Sequence, residues 1–329
     1  MQNHPNAGII GVGMAVPENI LTNADIERIV DTSDEWIVSR TGIRERRISS
    51  ADETPATLGS RAARAALEDA GISAVELDLV LCATTTGDHP WPSTACLIQH
   101  EIGATRASAF DISAACSGFV YALAITSGLI QSGQMRNVLV IGSETLTKQV
   151  NWSDRNTCVL FGDGAGAAIL APCEQDHGVL ASSLGSDGSK FTAIHIPAGG
   201  AREPLTAEGL LQHRNMISMQ GAEVFKFAVK IMGDVTEEVL NKVGMTTKQI
   251  DLFIPHQANR RIITAAADRM KLPPEKVLIN VDRYGNTSAA SIPIALAEAV
   301  KSGRIRRGDI LVTVGFGAGL TWGANVIRW

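Results

Sequence analysis

Apolar and polar positions along this chain repeat in two alternating rhythms. A helical pattern from Leu58 to Ala70 stops at Gly71 and gives way to the apolar run DLVLCATTT from Asp78. A second helical pattern, Val235 to Val243, stops at Gly244 and gives way to DLFIPHQAN from Asp251. An apolar face at helical spacing, a glycine stop and then a short apolar run predict a helix followed by a strand in each place. The two strand runs begin 173 positions apart, and NVLVIGSET from Asn137 resembles DILVTVGFG from Asp309 at an offset of 172. Between these landmarks both halves carry a small-residue turn and a helix, SAACSGFVYALA and NTSAASIPIALA, with Ala122-Leu123 matching Ala295-Leu296 at 173. Three landmarks in one order at one offset predict a duplicated α/β chain with halves 1–175 and 176–329. Helices alternating with strands predict mainly parallel strands, buried on both faces.

Two loops interrupt the pattern. Pro17, Asn19 and Asn23 mark an early one, and Gly185, Gly188, Gly199, Gly200 and Pro204 mark an excursion over 185–215, expected as a lid or interface loop. Residues 112–135 contain no charged residue, and 24 positions suffice to span a bilayer. Ser113, Ser117, Gly118, Ser127, Gly128 and Gln131 interrupt the run, and apparent strands flank it. The pattern predicts a buried helix of a soluble protein, not a membrane span. No basic segment followed by an apolar run stands at the N-terminus, so no signal peptide is expected.

Composition narrows the classes further. Charged residues make up 19% of 329 positions, below the roughly 25% of an ordinary soluble chain, and 31 are glycine. Helices packed on several sides or a subunit interface would account for this. A net charge of −5 argues against a nucleic-acid partner, and 45% hydrophobic residues argue against disorder. Five cysteines (Cys82, Cys96, Cys116, Cys158, Cys173) form no CxxC pair, so neither a disulfide framework nor a structural zinc site is expected.

Cys116 is the candidate nucleophile. It follows the probable strand ASAFDIS in a turn of small residues and precedes a long apolar helix. Such a bend exposes a nucleophile, the helix macrodipole favours thiolate there, and nearby N–H groups suit an oxyanion. His256 ends the strand DLFIP, where α/β sheets bind ligands, and Asn286 opens the second-half turn related to that of Cys116. Taken singly these are a core thiol, a loop histidine and a helix cap. The duplication brings the three together at the centre. The glycine clusters FGDGAGAA and GFGAGLTWG lack a Walker lysine, and GVG at Gly11–Gly13 lacks the third glycine of a dinucleotide fingerprint. Nucleotide hydrolysis and NAD binding are excluded on these grounds.

The segments DISAACSGF, PHQANRRI, RYGNTSAASIPIAL, LFGDGAGA and GFGAGLTWG, with TSDEWIVSRTGIRERR (Thr32 to Arg47), together resemble the β-ketoacyl-acyl-carrier-protein synthase III family. The resemblance spans nearly the whole chain. It implies a thiolase-like fold, a duplicated five-layer αβαβα arrangement. It also implies an acyltransferase that initiates bacterial fatty-acid synthesis, condensing a short acyl-CoA with malonyl-acyl carrier protein. In that reading Cys116 carries the acyl group as a thioester, and His256 and Asn286 stabilise the malonyl enolate. The backbone N–H groups of Cys116 and Ala318 form the oxyanion hole; many family members have glycine where this chain has Ala318.

The resemblance also assigns CoA contacts to Thr32, Trp36, Arg40, Arg155 and Asn259, with Trp36 and Arg155 sandwiching the adenine. Carrier-protein contacts fall on Lys226, Gln257, Arg260 and Arg261, although Asp268 stands where the family has a further basic residue. Trp91 and Phe161 fall in the acyl pocket, with the GDHPWPST loop crossing a homodimer interface so that Trp91 limits chain length. An acetyl primer follows, and no cofactor or metal is implied. A thiolase would need a second cysteine near the C-terminus, and none follows Cys173. A synthase III relative recruited to secondary metabolism and a non-catalytic CoA-binding scaffold remain alternatives; the intact Cys116, His256 and Asn286 speak against the scaffold.

Overall fold

A computed structural model describes residues 5–329; the first four residues of the segment inspected for a signal peptide lie outside it. Two main sheets organise the chain. The first uses β1 (Asn6–Ala15), β2 (Leu79–Ala83), β3 (Ser108–Ile112), β4 (Val138–Thr145) and β5 (Asp163–Cys173), in the spatial order β1-β5-β4-β2-β3. The second uses β6 (Gly178–Ser186), β7 (Leu252–Pro255), β8 (Ile310–Gly317) and β9 (Thr321–Arg328), in the order β7-β8-β9-β6. Superposing β1 on β6, β5 on β9, β4 on β8 and β2 on β7 reproduces the same order. The counterpart of β3 survives only as an isolated bridge from Phe253 to Val277.

Strand direction departs from the sequence expectation. The pairs β2–β3, β2–β4 and β7–β8 are parallel, while β1–β5, β4–β5, β8–β9 and β9–β6 are antiparallel. The cause is connection length. β8 turns into β9 within three residues, too short for the crossover that a parallel pair requires. Of the glycine clusters, Gly164 and Gly166 lie inside β5, Gly315 and Gly317 inside β8, and Gly319 in the turn between β8 and β9.

Seven longer helices complete the layers: α1 (Asp34–Thr41), α2 (Pro55–Ala70), α3 (Thr94–Glu101), α4 (Gly118–Gln131), α5 (Gly221–Asn241), α6 (Arg260–Arg269) and α7 (Ser291–Lys301). α2 shows how sequence sets a boundary. Thr54 accepts from Thr57 N–H, Pro55 takes the first turn where no donor is needed, and Gly71 stops the helix at φ +67°. Inward and outward positions alternate along the central strands, and bulges shift the register at Ile9/Gly11 in β1 and at Val326/Ile327 in β9. Leu79 and Leu81 join Phe119, Leu123, Ile292 and Leu296 in the central core, while Val80 and Cys82 face α2 and α3 with Leu58 and Ile98. Likewise Leu252, Ile254 and Leu311 face inward, and Phe253, Val312 and Val314 pack under α5 and α6. The layers run α2/α3, first sheet, α4/α7, second sheet, α5/α6, which is the five-layer αβαβα thiolase-like fold. The uncharged stretch at 112–135 becomes the 14-residue α4, sandwiched between sheets. Among the described residues no helix is long and apolar enough to cross a membrane. The second-half helix starts earlier than its periodicity suggested, at Gly221 instead of Val235.

Candidate active site

The two small-residue turns are reciprocal. Ala115 sits at φ +46° and Ser288, 173 positions later, at φ +47°. A side chain in this left-handed region costs about 1–2 kcal/mol, so both bends are held by their surroundings. What holds each is a glycine of the opposite half. A Cβ on Gly142 of β4 would lie 2.2 Å from the Ala289 carbonyl oxygen. A Cβ on Gly315 of β8 would lie 2.9 Å from Ser117 Cα, and one on Gly317 would lie 2.7 Å from Cys116 N. Each central strand thus ends flat against the other half's turn, which brings Cys116 and Asn286 to one place. Thr321 closes the junction. Its hydroxyl lies 3.0 Å from the carbonyl oxygens of both Ala114 and Ala318 and 2.8 Å from Ser117 Oγ.

Cys116, His256 and Asn286 all line one cavity of 830 Å³, together with Phe161, Phe316 and Gly317 at its floor. This volume suits a ligand of cofactor size. Asn286 is fixed by its backbone, which donates to Leu160 O at 2.8 Å and accepts from Gly162 N at 3.0 Å. Its side-chain oxygen accepts from Ser288 N–H at 2.9 Å, leaving the NH2 to donate. His256 follows β7, with Nδ1 2.7 Å from Ser291 Oγ and the edge of Phe316 against its ring at 5.3 Å.

Electrostatics correct one sequence expectation. The helix terminus was expected to favour thiolate at Cys116, but burial pushes the thiol up to about 12. A Ser288 hydrogen bond opposes that shift, while the nearby Glu144 carboxylate adds to it. Glu144 is itself buried, which raises its pKa, although it receives hydrogen bonds from the hydroxyls and backbone N–H groups of Thr85 and Thr86. Burial holds His256 down to about 3, so the imidazole is neutral at neutral pH.

The cavity mouth carries the expected basic and aromatic residues, with differences. Trp36, Arg40, Lys226, Asn259 and Arg261 line it. Asn259 caps α6 by accepting from Arg261 N at 2.8 Å and donates to Arg40 O at 3.1 Å. Arg155 stacks directly on Trp36, its guanidinium carbon 4.9 Å from the ring centroid, and a flat ring would have to part them. The Thr32 hydroxyl is buried without a partner, and Arg260 is exposed beside Gly42. One expected residue stands elsewhere. Gln257 is 1% exposed and spends its amide on Pro255 O, Leu278 O and Asn280 N, so it braces the 278–280 loop and cannot meet a docked protein. Trp91 is 85% exposed and does not line the cavity of its own chain. The sequence reading passed over Glu144, Ser288, Ser291, Phe316 and Thr321. Ser288 and Ser291 lay inside the quoted segment RYGNTSAASIPIAL, so the motif named the place without naming the roles.

Comparison with known proteins gives the family. The families described as 3-Oxoacyl-[acyl-carrier-protein (ACP)] synthase III and its C-terminal part match residues 110–188 and 240–329. The β-ketoacyl-[acyl-carrier-protein] synthase III of Caldanaerobacter subterraneus subsp. tengcongensis is 55% identical over 323 residues, covering 98% of each chain. The crystal structure of 3-oxoacyl-[acyl-carrier-protein] synthase III from Aquifex aeolicus matches with a TM-score of 0.91 and 49% identity, over 98% of this chain and 100% of that one. The priming β-ketosynthase of the R1128 polyketide pathway matches with a TM-score of 0.93 and 35% identity, over 100% of this chain and 97% of that one.

Proposed function

Because the chain belongs to the β-ketoacyl-acyl-carrier-protein synthase III family and is a condensing acyltransferase that initiates fatty-acid synthesis from acyl-CoA and malonyl-acyl carrier protein, we propose how its residues divide that reaction. The Cys116 thiol attacks the thioester carbon of acetyl-CoA, the C–S bond to CoA breaks, and the thiol proton ends on the departing CoA sulfur. The tetrahedral oxyanion is received by the N–H groups of Cys116 and Ala318. Ala318 N–H donates to no other group among the described residues, and Thr321 holds this residue against the turn. Malonyl-acyl carrier protein then loses carbon dioxide, and the electron pair of the broken C–C bond forms an enolate. His256 and the Asn286 NH2 donate to the enolate oxygen, and its carbon attacks the Cys116 thioester. Collapse breaks the bond to Cys116 Sγ and releases 3-oxoacyl-acyl carrier protein, and the departing thiolate takes up a proton from solvent to restore the thiol. Donors already aimed at a developing charge in a dry site are worth about 10²–10³ in rate each.

The observation that carries this reading is the shared cavity, with Cys116, His256 and Asn286 inside and cationic side chains at its mouth. Trp36, Arg40, Arg155, Asn259 and Thr32 are assigned to CoA, and Lys226, Arg260 and Arg261 to the acidic carrier protein. Two basic residues in the first turn of α6 oppose the helix dipole, an unfavourable placement that an anionic partner would repay. The halves 1–175 and 176–329 act as one catalytic unit, in the cytoplasm, with no cofactor. Two chains form a homodimer in which the exposed Trp91 closes the partner's acyl pocket beside Phe161 and favours an acetyl primer. Incubation with acetyl-CoA should place acetyl mass on the Cys116 peptide, and added malonyl-acyl carrier protein should discharge it as acetoacetyl-acyl carrier protein. Absence of the acetyl adduct would reject the assignment. An adduct that the carrier protein does not discharge would favour a recruited relative.

A further inference from the structure

A neutral imidazole carries its single proton on Nδ1 or on Nε2, and a donor and a base acting through the same nitrogen need opposite choices. His256 is 1% exposed and held neutral by burial, so one of these tautomers must dominate. Its Nδ1 lies 2.7 Å from Ser291 Oγ, which also accepts from the Gln257 N–H at 3.2 Å. Ser291 is 2% exposed at the first residue of α7, and these two groups are the partners of its hydroxyl among the described residues. Were Nδ1 protonated, the oxygen would receive two donors while its own proton, buried, met no acceptor. An unpaired buried donor is the costlier arrangement. With the hydroxyl donating to Nδ1, every group is satisfied and the proton belongs on Nε2.

We propose that Ser291 is a positioning residue that locks His256 as the Nε2–H tautomer, so that His256 acts as a hydrogen-bond donor to the enolate oxygen and not as the base for Cys116. The inference rests on the roles proposed above and goes one step past them. The lock is rigid. The Gln257 amide is tied to Pro255 O, Leu278 O and Asn280 N, which prevents its backbone N–H from swinging away, and Phe316 fixes the ring plane at 68°. The same turn governs both enolate donors. Ser288 N–H occupies the Asn286 oxygen, as the Ser291 hydroxyl meets the acceptor nitrogen of His256. Each donor therefore has its only competing acceptor atom engaged by residues 288–291.

Nitrogen NMR of the full-length enzyme labelled with ¹⁵N-histidine tests this, the His256 signals being identified by their loss in His256→Gln. The expected spectrum between pH 6 and 8 shows protonated Nε2 and unprotonated Nδ1; the reverse pattern overturns the proposal. Ser291→Ala should mix the tautomers and slow malonyl-acyl carrier protein decarboxylation by about 10–100-fold. Acetyl loading of Cys116 should stay within about threefold, and Ser291→Thr, which keeps the hydroxyl, should restore decarboxylation. Wild-type decarboxylation in a folded Ser291→Ala enzyme overturns the proposal. If that variant does not fold, the wild-type spectrum decides alone. Failure of the wild-type enzyme to load acetyl would overturn the proposed function instead, while the spectrum still decides the tautomer.

Discussion

Gly142→Ala tests whether the two halves build the site by pressing on each other. The new Cβ would sit 2.2 Å from the Ala289 carbonyl oxygen and 2.7 Å from its carbonyl carbon, where real Cβ contacts stay beyond 3.0 Å. Both neighbours are backbone, so no flexible side chain can absorb the conflict, and β4 and the 288–290 turn must separate by about 0.8 Å. Overpacking of this kind costs about 1–3 kcal/mol, enough to lower Tm by several degrees. The displacement acts on the turn whose Ser288 N–H fixes Asn286, and a shift of about 1 Å at a catalytic group costs about 10²-fold. Decarboxylation of malonyl-acyl carrier protein, followed as carbon dioxide release, should fall by that order. Acetylation of Cys116, followed by mass, should fall less than about tenfold. Gly317→Ala should reverse the bias, because its Cβ would lie 2.7 Å from Cys116 N, and with the smaller conflict the loss should be milder. Wild-type Tm and decarboxylation in Gly142→Ala would show that the turns are not held by the opposite strand, and equal loss of both half-reactions in both variants would deny the division of labour.

Asn286→Ala should slow decarboxylation by about 10²–10³ while Cys116 still accepts acetyl; normal condensation in this variant refutes the enolate role. Thr321→Val removes the hydroxyl that spans Ala114 O and Ala318 O, and should lower kcat for acetyl loading about tenfold with KM for acetyl-CoA unchanged and Thr321→Ser restoring it; a raised KM at constant kcat would refute an oxyanion-hole role. His256 has a folded pKa of about 3, below the roughly 6.5 of the unfolded chain, so between these values the unfolded state binds a proton the folded state excludes. Stability is therefore lost as pH falls through that window. Urea unfolding at pH 7 and pH 5 should show wild type losing about 2 kcal/mol more than His256→Gln, and equal losses would place the histidine in a solvated site. If Trp91 of the partner subunit ends the acyl pocket, Trp91→Gly should raise the ratio of decanoyl-CoA to acetyl-CoA turnover; an unchanged ratio refutes that placement.

The sequence carried the duplication well because inward and outward positions of an unbulged strand follow a period of two, and Gly71 and Gly244, both at positive φ, close the two corresponding helical runs. The offset of 172–173 that joined Asn137 to Asp309 also joins Gly142 to Gly315 and Ala115 to Ser288, and these last two pairs have a packing reason. Strand direction was not legible, since a buried apolar run reads alike in parallel and antiparallel neighbours. The three central residues were legible because each ends a motif at a strand end or turn. Their helpers were not. A serine such as Ser291 has no signature until the fold brings its hydroxyl 35 positions back to His256, and Thr321 acts on a carbonyl 207 positions away. Gln257 failed as a surface contact for the same reason: next to an active-site histidine, sequence alone does not say whether an amide faces outward or closes a buried loop. The duplication itself explains why catalysis here needs both halves. A single half would have a strained turn with nothing behind it, since the strand that flattens Ala115 comes from β8 and the one that flattens Ser288 comes from β4. Strain of about 1–2 kcal/mol at each bend is therefore stabilised only across the centre, and the nucleophile and the enolate donors exist in working geometry only when the two sheets are packed together.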